Sequence, residues 1–247
     1  MSDTRVDNEA TGGPWAILVG LAFAALGLVF TIFTFVIGRM GDAELAASSA
    51  TITLNLLAIL PVVGVGQAVS VLVGQRLGED RPELAERATW SGFRIAWLYM
   101  TAVAVAYLVL PHVLVQVFHN GEDAALWGRI ESLTPALLRF VAFYCLFDSL
   151  NLVFSFALKG AGDTRFVTLV ATALAWPIVV LPTVLAWQYD WGVEAAWAFA
   201  SGYVVTLGFV FLARFRTGRW KTMRVIEAAP QAGPETVVAL APIEDPV

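Results

Sequence analysis

Asp148 lies close to the middle of a continuous apolar segment, residues 135–158. A helix rises about 1.5 Å per residue, so this segment is long enough to cross a bilayer. A carboxylate at that depth is costly to bury and usually faces a cavity, a partner or an ion path. The position therefore predicts a membrane protein that moves something charged, with Asp148 handling the charge.

The residues around Asp148 suggest two kinds of chemistry. Desolvation disfavours the ionised carboxylate, so Asp148 can hold or release a proton near neutrality, and with added oxygens the same group can bind Na⁺. Asn151 and Ser155 follow on the same helix face. The alternative is a structural hydrogen bond to a neighbouring helix. We favour the functional role because acids inside a membrane are rare and expensive.

Polar residues in other apolar segments are candidates to line the same cavity. One segment carries Thr51, Asn55 and Gln67, whose polar groups need partners in lipid. They either line the cavity that Asp148 faces or hold helices together, and the sequence does not separate the two roles. Thr31 is a further cavity candidate, although its hydroxyl can bond back to the preceding helical turn.

Six apolar segments must position these residues, and most are close to the ~20 residues that a spanning helix needs. They are residues 15–38, 47–77, 90–110, 135–158, 166–187 and 193–213. The second segment contains Pro61, which permits a break, and the fifth contains Pro177 and Pro182, which should kink it. The prediction is an all-α, polytopic integral membrane protein.

We divide the chain into three parts. Residues 1–14 are a polar N-terminal segment, residues 15–214 are the six-helix membrane domain, and residues 215–247 are a cytoplasmic tail. The tail is rich in proline, alanine and acid, which is typical of disorder. Between the third and fourth segments, an external loop at 111–134 ends in a polar stretch that could form a short surface helix.

Composition excludes an ordinary soluble enzyme. The 247 residues are 58% hydrophobic and only 14% charged, with a mean hydropathy of +0.73. The sequence has no GxSxG, HExxH or CxxC pattern, and both histidines, His112 and His119, fall in the external loop. The single Cys145 excludes an intramolecular disulfide. We expect no enzyme activity, no cofactor and no dedicated metal site, apart from Na⁺ at Asp148.

The basic residues predict the orientation of the chain. With the N-terminus inside, twelve of the 15 Lys and Arg residues lie on the cytoplasmic side. This bias predicts an integral protein of the plasma (inner) membrane with both termini in the cytoplasm. Five tryptophans near segment ends are expected to be interface anchors: Trp15, Trp90, Trp187, Trp191 and Trp220.

The cytoplasmic connections read as tight turns. Gly160 and Gly162 relieve the φ constraint at a helix C-terminus, and Asp163 or Thr164 can cap the next helix. The turn and its positive-inside charges account for these residues without any contact to substrate.

Three stretches together resemble the multidrug and toxic compound extrusion (MATE) family of secondary transporters. They are VGVGQAVSVLVGQRLGEDRPELA at 63–85, VIGRMGDAELAASS at 36–49 and DSLNLVFSFALKGAGDT at 148–164. The resemblance implies the C-terminal half of a twelve-helix bundle with a substrate cavity between its halves. It also implies export of cationic, often aromatic compounds in exchange for H⁺ or Na⁺. Asp148, twelve residues before Gly160, matches the cation-binding Asp of the family.

Two departures from the family pattern matter. The sodium-coupled branch carries a glutamate where this chain has Leu26, and no acid lies between residues 15 and 38. A two-carboxylate Na⁺ site is therefore disfavoured, and coupling to H⁺ through one carboxylate becomes more attractive. The matching N-terminal half is also missing from the sequence, so a cavity between halves would have only one wall.

The resemblance leaves two hypotheses. In the first, the chain is an efflux antiporter that works as a homodimer or with a separate N-terminal half. In the second, it is a truncated or split half that inserts in the membrane but does not transport alone. The expected partners are the lipid bilayer and small organic, cationic substrates, with no nucleic acid.

Overall fold

The computed structural model describes residues 14–119, 121 and 123–223, apart from the side chains of residues 14–16, 18, 19 and 23. The described residues are almost entirely helical and contain no strand. The elements are α1 Pro14–Met40, α2 Asp42–Gly78, α3 Pro82–Val109, α4 Pro111–Gln116, α5 Ala124–Gly160, α6 Thr164–Ala175, a π-helical segment Trp176–Val180, α7 Leu181–Gln188, α8 Val193–Arg216 and a 3₁₀ turn Arg219–Thr222.

Six helical stretches in the described part are long and apolar enough to cross a membrane, which confirms the predicted fold class. They are Gly20–Met40, Asp42–Gly78, Pro82–Val109, Ala124–Gly160, Thr164–Gln188 and Val193–Arg216. Short connections join them, so successive spans run in opposite directions.

Helix α5 is the centre of the bundle, packed against α2, α3 and α8. Its side chains Leu137, Val141 and Phe154 are fully buried. Helix α1 lies outside this group and packs against α2, α6 and α7. The midpoint of α5 is therefore the part of the bundle that lipid reaches least.

Ion pairs connect elements at both ends of the bundle. At the end where α2 ends and α3 begins, Lys221 Nζ lies 2.6 Å from Glu86 Oε2. At the opposite end, Arg129 of α5 lies 2.5 Å from Glu44 of α2. We call these the α2–α3 end and the α1–α2 end.

Proline acts differently in the two long apolar segments that contain it. Helix α2 runs without a break through Pro61, so the permitted break is not used. A single proline removes one backbone donor, and a packed helix can tolerate that loss. In the fifth span, Trp176–Val180 adopts a π-helical turn at Pro177, as expected for a proline that disturbs the hydrogen-bond ladder.

The polar stretch of the external loop is helical as predicted, but it is not a short surface helix. Residues from Ala124 onwards are the first turns of α5, which continues through Pro135. Ile130 and Thr134 are buried, so these turns pack against the bundle even though their polar neighbours lower the hydropathy. A further short helix, α4, follows α3 directly.

The chain stays packed on the bundle beyond residue 214. Trp220 is 1% exposed, stacks on Phe215 with ring centroids 4.7 Å apart, and donates its indole N–H to the Phe215 carbonyl at 2.8 Å. Its predicted role as an interface anchor is therefore wrong. The side chain of Trp15, residues 1–13 and residues 224–247 lie outside the described residues, as do the predictions made for them.

Candidate functional site

Asp148 lies on the buried side of α5 and is 3% exposed. Asn151, three residues later on α5, donates a hydrogen bond to the carboxylate, with Asn151 Nδ2 3.0 Å from Asp148 Oδ1. Among the residues that the structure describes, no Lys, Arg or His lies within ion-pair distance of this carboxylate. Within the described part of the chain, the acid is thus buried without an opposite charge.

Ser155 does not take part in this contact. Its side chain is buried on α5, but the hydroxyl donates to the carbonyl of Leu152 at 2.9 Å. A hydroxyl bonded to its own helix is satisfied locally and needs no second partner. The predicted group of Asp148, Asn151 and Ser155 therefore reduces to its first two members in this conformation.

Tyrosine side chains, which the sequence argument missed, lie near the carboxylate. Tyr144 lies one turn before Asp148 on the same face of α5, and its side chain is buried. Tyr107 of α3 donates its hydroxyl to the carbonyl of Leu54 in α2 at 2.8 Å. The spacing of Tyr144 from Asp148 could have identified the first, but only packing brings Tyr107 to this level.

Asn55 is the one cavity candidate of α2 that reaches the level of Asp148. The backbone of α2 approaches α5 where Gly66 meets Phe156 and Gly160 meets Ser70, and both pairs differ by 90 in residue number. This register sets Asn55 opposite Cys145, about one turn from Asp148. The amide oxygen of Asn55 is buried and has no hydrogen-bond partner among the described residues. Buried acceptors without a hydrogen-bond partner are rare, and such an oxygen can accept a hydrogen bond or bind a cation.

Helix α8 packs against the turn of α5 that carries Asp148. Gly208 lies so close to α5 that a Cβ there would be 2.9 Å from the Phe147 carbonyl oxygen and 3.2 Å from the Leu150 Cβ. The same Cβ would lie 3.5 Å from the Asn151 amide nitrogen. Only glycine permits this approach, so α8 fixes the backbone on both sides of Asp148.

The remaining three candidates do not join this group. Thr51 is buried but donates to the Ala47 carbonyl at 2.8 Å. Thr31 is exposed on α1 and donates to the Gly27 carbonyl at 3.0 Å, the back-bonding expected as its alternative role. Gln67 is exposed on α2. All three lie apart from the Asp148 contacts that the structure describes.

The turn after α5 differs in detail from its prediction. Gly162 has φ +94°, so it is the residue that needs the left-handed conformation. Gly160 is required for a different reason: a Cβ there would meet the backbone of Ser70. Asp163 sits at the start of α6 but makes no capping bond, and instead accepts from Arg214 Nε at 2.7 Å. The acid joins α6 to α8.

A model of the MatE family matches residues 19–185 of this chain, which include the whole polar group around Asp148. The chain belongs to the MatE family. The match covers α1 to the first half of α7. Membership agrees with the resemblance carried by the sequence motifs.

Curated relatives support the same assignment. A probable multidrug resistance protein NorM from Pseudomonas aeruginosa is 28% identical over 85% of this chain and 43% of its own length. A second, from Deinococcus radiodurans, is 30% identical over 81% of this chain and 46% of its own length. The chain therefore spans about half the length of the curated relatives it matches.

Solved structures confirm the MatE fold. A MOP superfamily transporter from Pyrococcus furiosus superposes with a TM-score of 0.72 at 18% identity, covering 81% of this chain and 45% of the other. A MATE structure in a bent conformation gives 0.70 at 18% identity, over 83% and 45%. Membership in the MatE family, with relatives named as multidrug resistance proteins, confirms the prediction that this chain is not an enzyme.

The MatE bundle also leaves part of α2 uncovered. Leu60, Gly64, Gln67 and Val71 follow one another along one stripe of the helix, and all four are exposed. Small and polar residues at such spacing are typical of contacts between helices in membranes. We call these four residues the α2 stripe.

Proposed function

We propose that this chain forms half of a MatE efflux antiporter, which exports small organic cations in exchange for H⁺ or Na⁺, with Asp148 as the coupling carboxylate. The observation that carries the proposal is the burial of Asp148 in the central helix with one amide donor and no basic partner among the described residues. Buried charges are normally paired, and an unpaired acid inside a membrane is by default a functional group.

The coupling needs only competition at one carboxylate. When ionised, Asp148 attracts a cationic substrate strongly because the surrounding dielectric is low. When it takes up a proton, that attraction is lost and the substrate leaves. The linkage is reciprocal, so a proton gradient can drive export of the cation.

The residues near Asp148 favour H⁺ over Na⁺. A Na⁺ ion would need several oxygens besides this carboxylate. Among the described residues, the buried side-chain oxygens without a hydrogen-bond partner are those of Asn55, Thr168 and Thr183, and the register of α2 against α5 sets Asn55 about one turn from Asp148. No second acid comes from the first span, because residues 15–38 contain none. A proton needs no such ligand set, so one carboxylate suffices for it.

A second subunit would complete the cavity. The α2 stripe includes the amide of Gln67, which is expensive to expose to hydrocarbon without a partner. The chain also spans 43% and 46% of the relatives described above. We infer that the stripe packs against a second copy of this chain or a separate N-terminal half, and that the substrate lies between the two, as in other transporters built from repeats.

The ends of the bundle fit the proposed orientation in the inner membrane. The α2–α3 end carries the connection between α2 and α3, the α5–α6 turn and the end of α8, where most basic residues lie. The α1–α2 end carries Arg39 and Arg129. The positive-inside rule then assigns the α2–α3 end to the cytoplasm.

The test is export of ethidium driven by a proton gradient, in vesicles that contain this chain alone. We expect wild type to export, and Asp148→Asn, which keeps the shape but cannot ionise, to lose export. Asp190→Asn is the matched control, because Asp190 is exposed at φ +53°, a conformation that asparagine also adopts.

Each outcome decides a part of the proposal. Export by both Asp148→Asn and wild type would refute the role of Asp148 in coupling. No export by correctly inserted wild type would refute independent function and support the truncated or split half. Light scattering on the same purified chain then shows whether one copy or two are present in the particle.

A further inference from the structure

The first turns of α3 carry a basic stripe on their outer surface. Arg87, Ser91 and Arg94 follow at helical spacing and all three are exposed. Together with Trp90 they line a surface groove of about 550 Å³ at the α2–α3 end of the bundle. We call this the α3 groove.

The two arginines of the α3 groove form no ion pair with the acids that the structure describes. Within the described part of the chain, neither Arg87 nor Arg94 forms an ion pair, whereas Arg76 is held by Glu79 at 2.7 Å. Of the two acids that also line the groove, Glu86 is neutralised by Lys221 at 2.6 Å. Glu83 lies at the first turn of α3, farthest from the apolar part of the helix. The groove therefore offers two guanidinium groups that no described carboxylate pairs with.

The stripe changes abruptly from basic to apolar. Continuing at the same helical spacing from Arg94, it meets Leu98 and then Val105, which are 66% and 53% exposed. Exposed apolar side chains on a spanning helix face acyl chains, so the boundary between headgroups and hydrocarbon lies close to Arg94. One face of α3 thus carries basic residues at the level of the headgroups and apolar residues at the level of the acyl chains. This order matches the two parts of a phospholipid.

The floor of the groove is rigid. Trp90 packs edge-on against Phe154 of α5 with ring centroids 5.3 Å apart, and against Phe93 at 5.8 Å. Phe154 is fully buried in the centre of the bundle. The groove therefore does not depend on a mobile side chain for its shape.

We propose that the α3 groove binds an anionic phospholipid of the surrounding leaflet, such as phosphatidylglycerol. The phosphate lies over Ser91, about 6 Å along the axis from Arg87 and about 4.5 Å from Arg94, so both guanidinium groups reach it. Ser91 donates its hydroxyl to the same phosphate, and an acyl chain follows Leu98 and Val105. A zwitterionic headgroup brings its own ammonium group and gains less from two arginines.

The apolar continuation distinguishes a lipid from a free phosphate ion. Inorganic phosphate would use the two arginines but gain nothing from Leu98 or Val105. A phospholipid uses both parts of the stripe, because its phosphate contacts the two arginines while its acyl chain packs along Leu98 and Val105.

The test is native mass spectrometry of the purified full chain with equal amounts of phosphatidylglycerol and phosphatidylethanolamine. We expect wild type to retain phosphatidylglycerol preferentially. The double variant Arg87→Ala with Arg94→Ala should weaken that retention about fivefold for each arginine, the factor expected for one basic residue near anionic lipid. The variant Arg87→Lys with Arg94→Lys should keep most of it, because charge supplies the attraction.

The matched control is Arg216→Ala with Arg219→Ala. These two arginines are also exposed at the α2–α3 end and form no ion pair in the described residues, but they lie off the stripe. Equal loss in the control variant would overturn the proposal, since it would show a general charge effect. Unchanged preference in the alanine pair, or displacement of the lipid by millimolar inorganic phosphate, would overturn it as well.

Discussion

Replacing Gly160 by alanine tests how closely α2 and α5 must approach at the α2–α3 end of the bundle. A Cβ on residue 160 would lie 2.8 Å from both the Cα and the carbonyl carbon of Ser70, and closer still to the carbonyl oxygen. Carbon atoms pack best at about 3.5–4.0 Å, so the two helices must separate by about 1 Å. Backbone atoms cannot rotate away as a side chain can, and the separation therefore extends along the interface.

The expected cost follows from two opposing effects. Overpacking of this kind costs about 1–3 kcal/mol. Alanine is favoured over glycine inside a helix by up to about 1 kcal/mol, but residue 160 is the last of α5 and gains less than that. We expect a net loss of about 1–2 kcal/mol. For a chain of this size, that corresponds to a fall in Tm of about 2–4 °C per kcal/mol.

The assay is thermal unfolding of the purified chain in detergent, followed by tryptophan fluorescence. Gly202→Ala on α8 is the matched control, because no heavy atom outside its own helix lies within 4 Å of a Cβ there. That variant should be neutral or more stable by up to about 1 kcal/mol. If both variants shift Tm equally, the close approach of α2 and α5 at Gly160 is not what limits stability.

Two further substitutions test the contacts that fasten α8. Asp163→Asn removes the negative charge from the ion pair with Arg214, whose two side chains are 8% (Asp163) and 17% (Arg214) exposed. We expect the free energy of unfolding to fall by about 2 kcal/mol, the contribution of a hydrogen bond to a charged group. A Tm equal to that of wild type would show that Arg214 finds another partner. Trp220→Ala empties a fully buried site against Phe215 and should cost about 3 kcal/mol, measured by the same unfolding assay. An unchanged Tm would mean that the 3₁₀ turn is not held to the bundle in solution.

The sequence predicts the spans well because their signal is strong and local. Each span is a run of apolar residues of bilayer length, and hydropathy detects such runs without any knowledge of packing. The ends of the spans are less well predicted. Helix α5 begins at Ala124 instead of near Pro135, because its first turns project beyond the apolar run and pack through Ile130.

Side-chain partners depend on packing, which the sequence does not contain. Asp163 looks like a helix cap because the preceding turn ends α5, yet Arg214 of α8 takes its carboxylate. Trp220 looks like an interface anchor because it follows a span, yet it folds back onto Phe215. For Asp163 the capping rule gives way to a tertiary contact with α8, and for Trp220 the anchor rule gives way to a local contact five residues back along the chain.

In the candidate site, too, helical spacing predicts some contacts, whereas packing alone determines the others. The pairing of Asp148 with Asn151 follows from helical spacing alone, and the structure shows it. The back-bonded hydroxyls of Thr51 and Ser155 could not be separated from cavity ligands by spacing, since both roles leave the residue on the same face. Asn55 is distinguished only by the register of α2 against α5.

The alternative role of Asp148, a purely structural hydrogen bond, makes a different demand on its surroundings. An ionised carboxylate has about four acceptor positions, and a structural acid buried in hydrocarbon should fill most of them or pair with a base. Among the described residues, one Asn151 amide donates to Asp148 and no base is paired with it. The Asn55 oxygen, about one turn away along the register, is an acceptor and cannot donate to the carboxylate. Among the described residues, the Asp148 carboxylate has one donor and the Asn55 oxygen has none, and the two share one level of the bundle. A species that brings positive charge, such as a proton or a cation, would stabilise both oxygens.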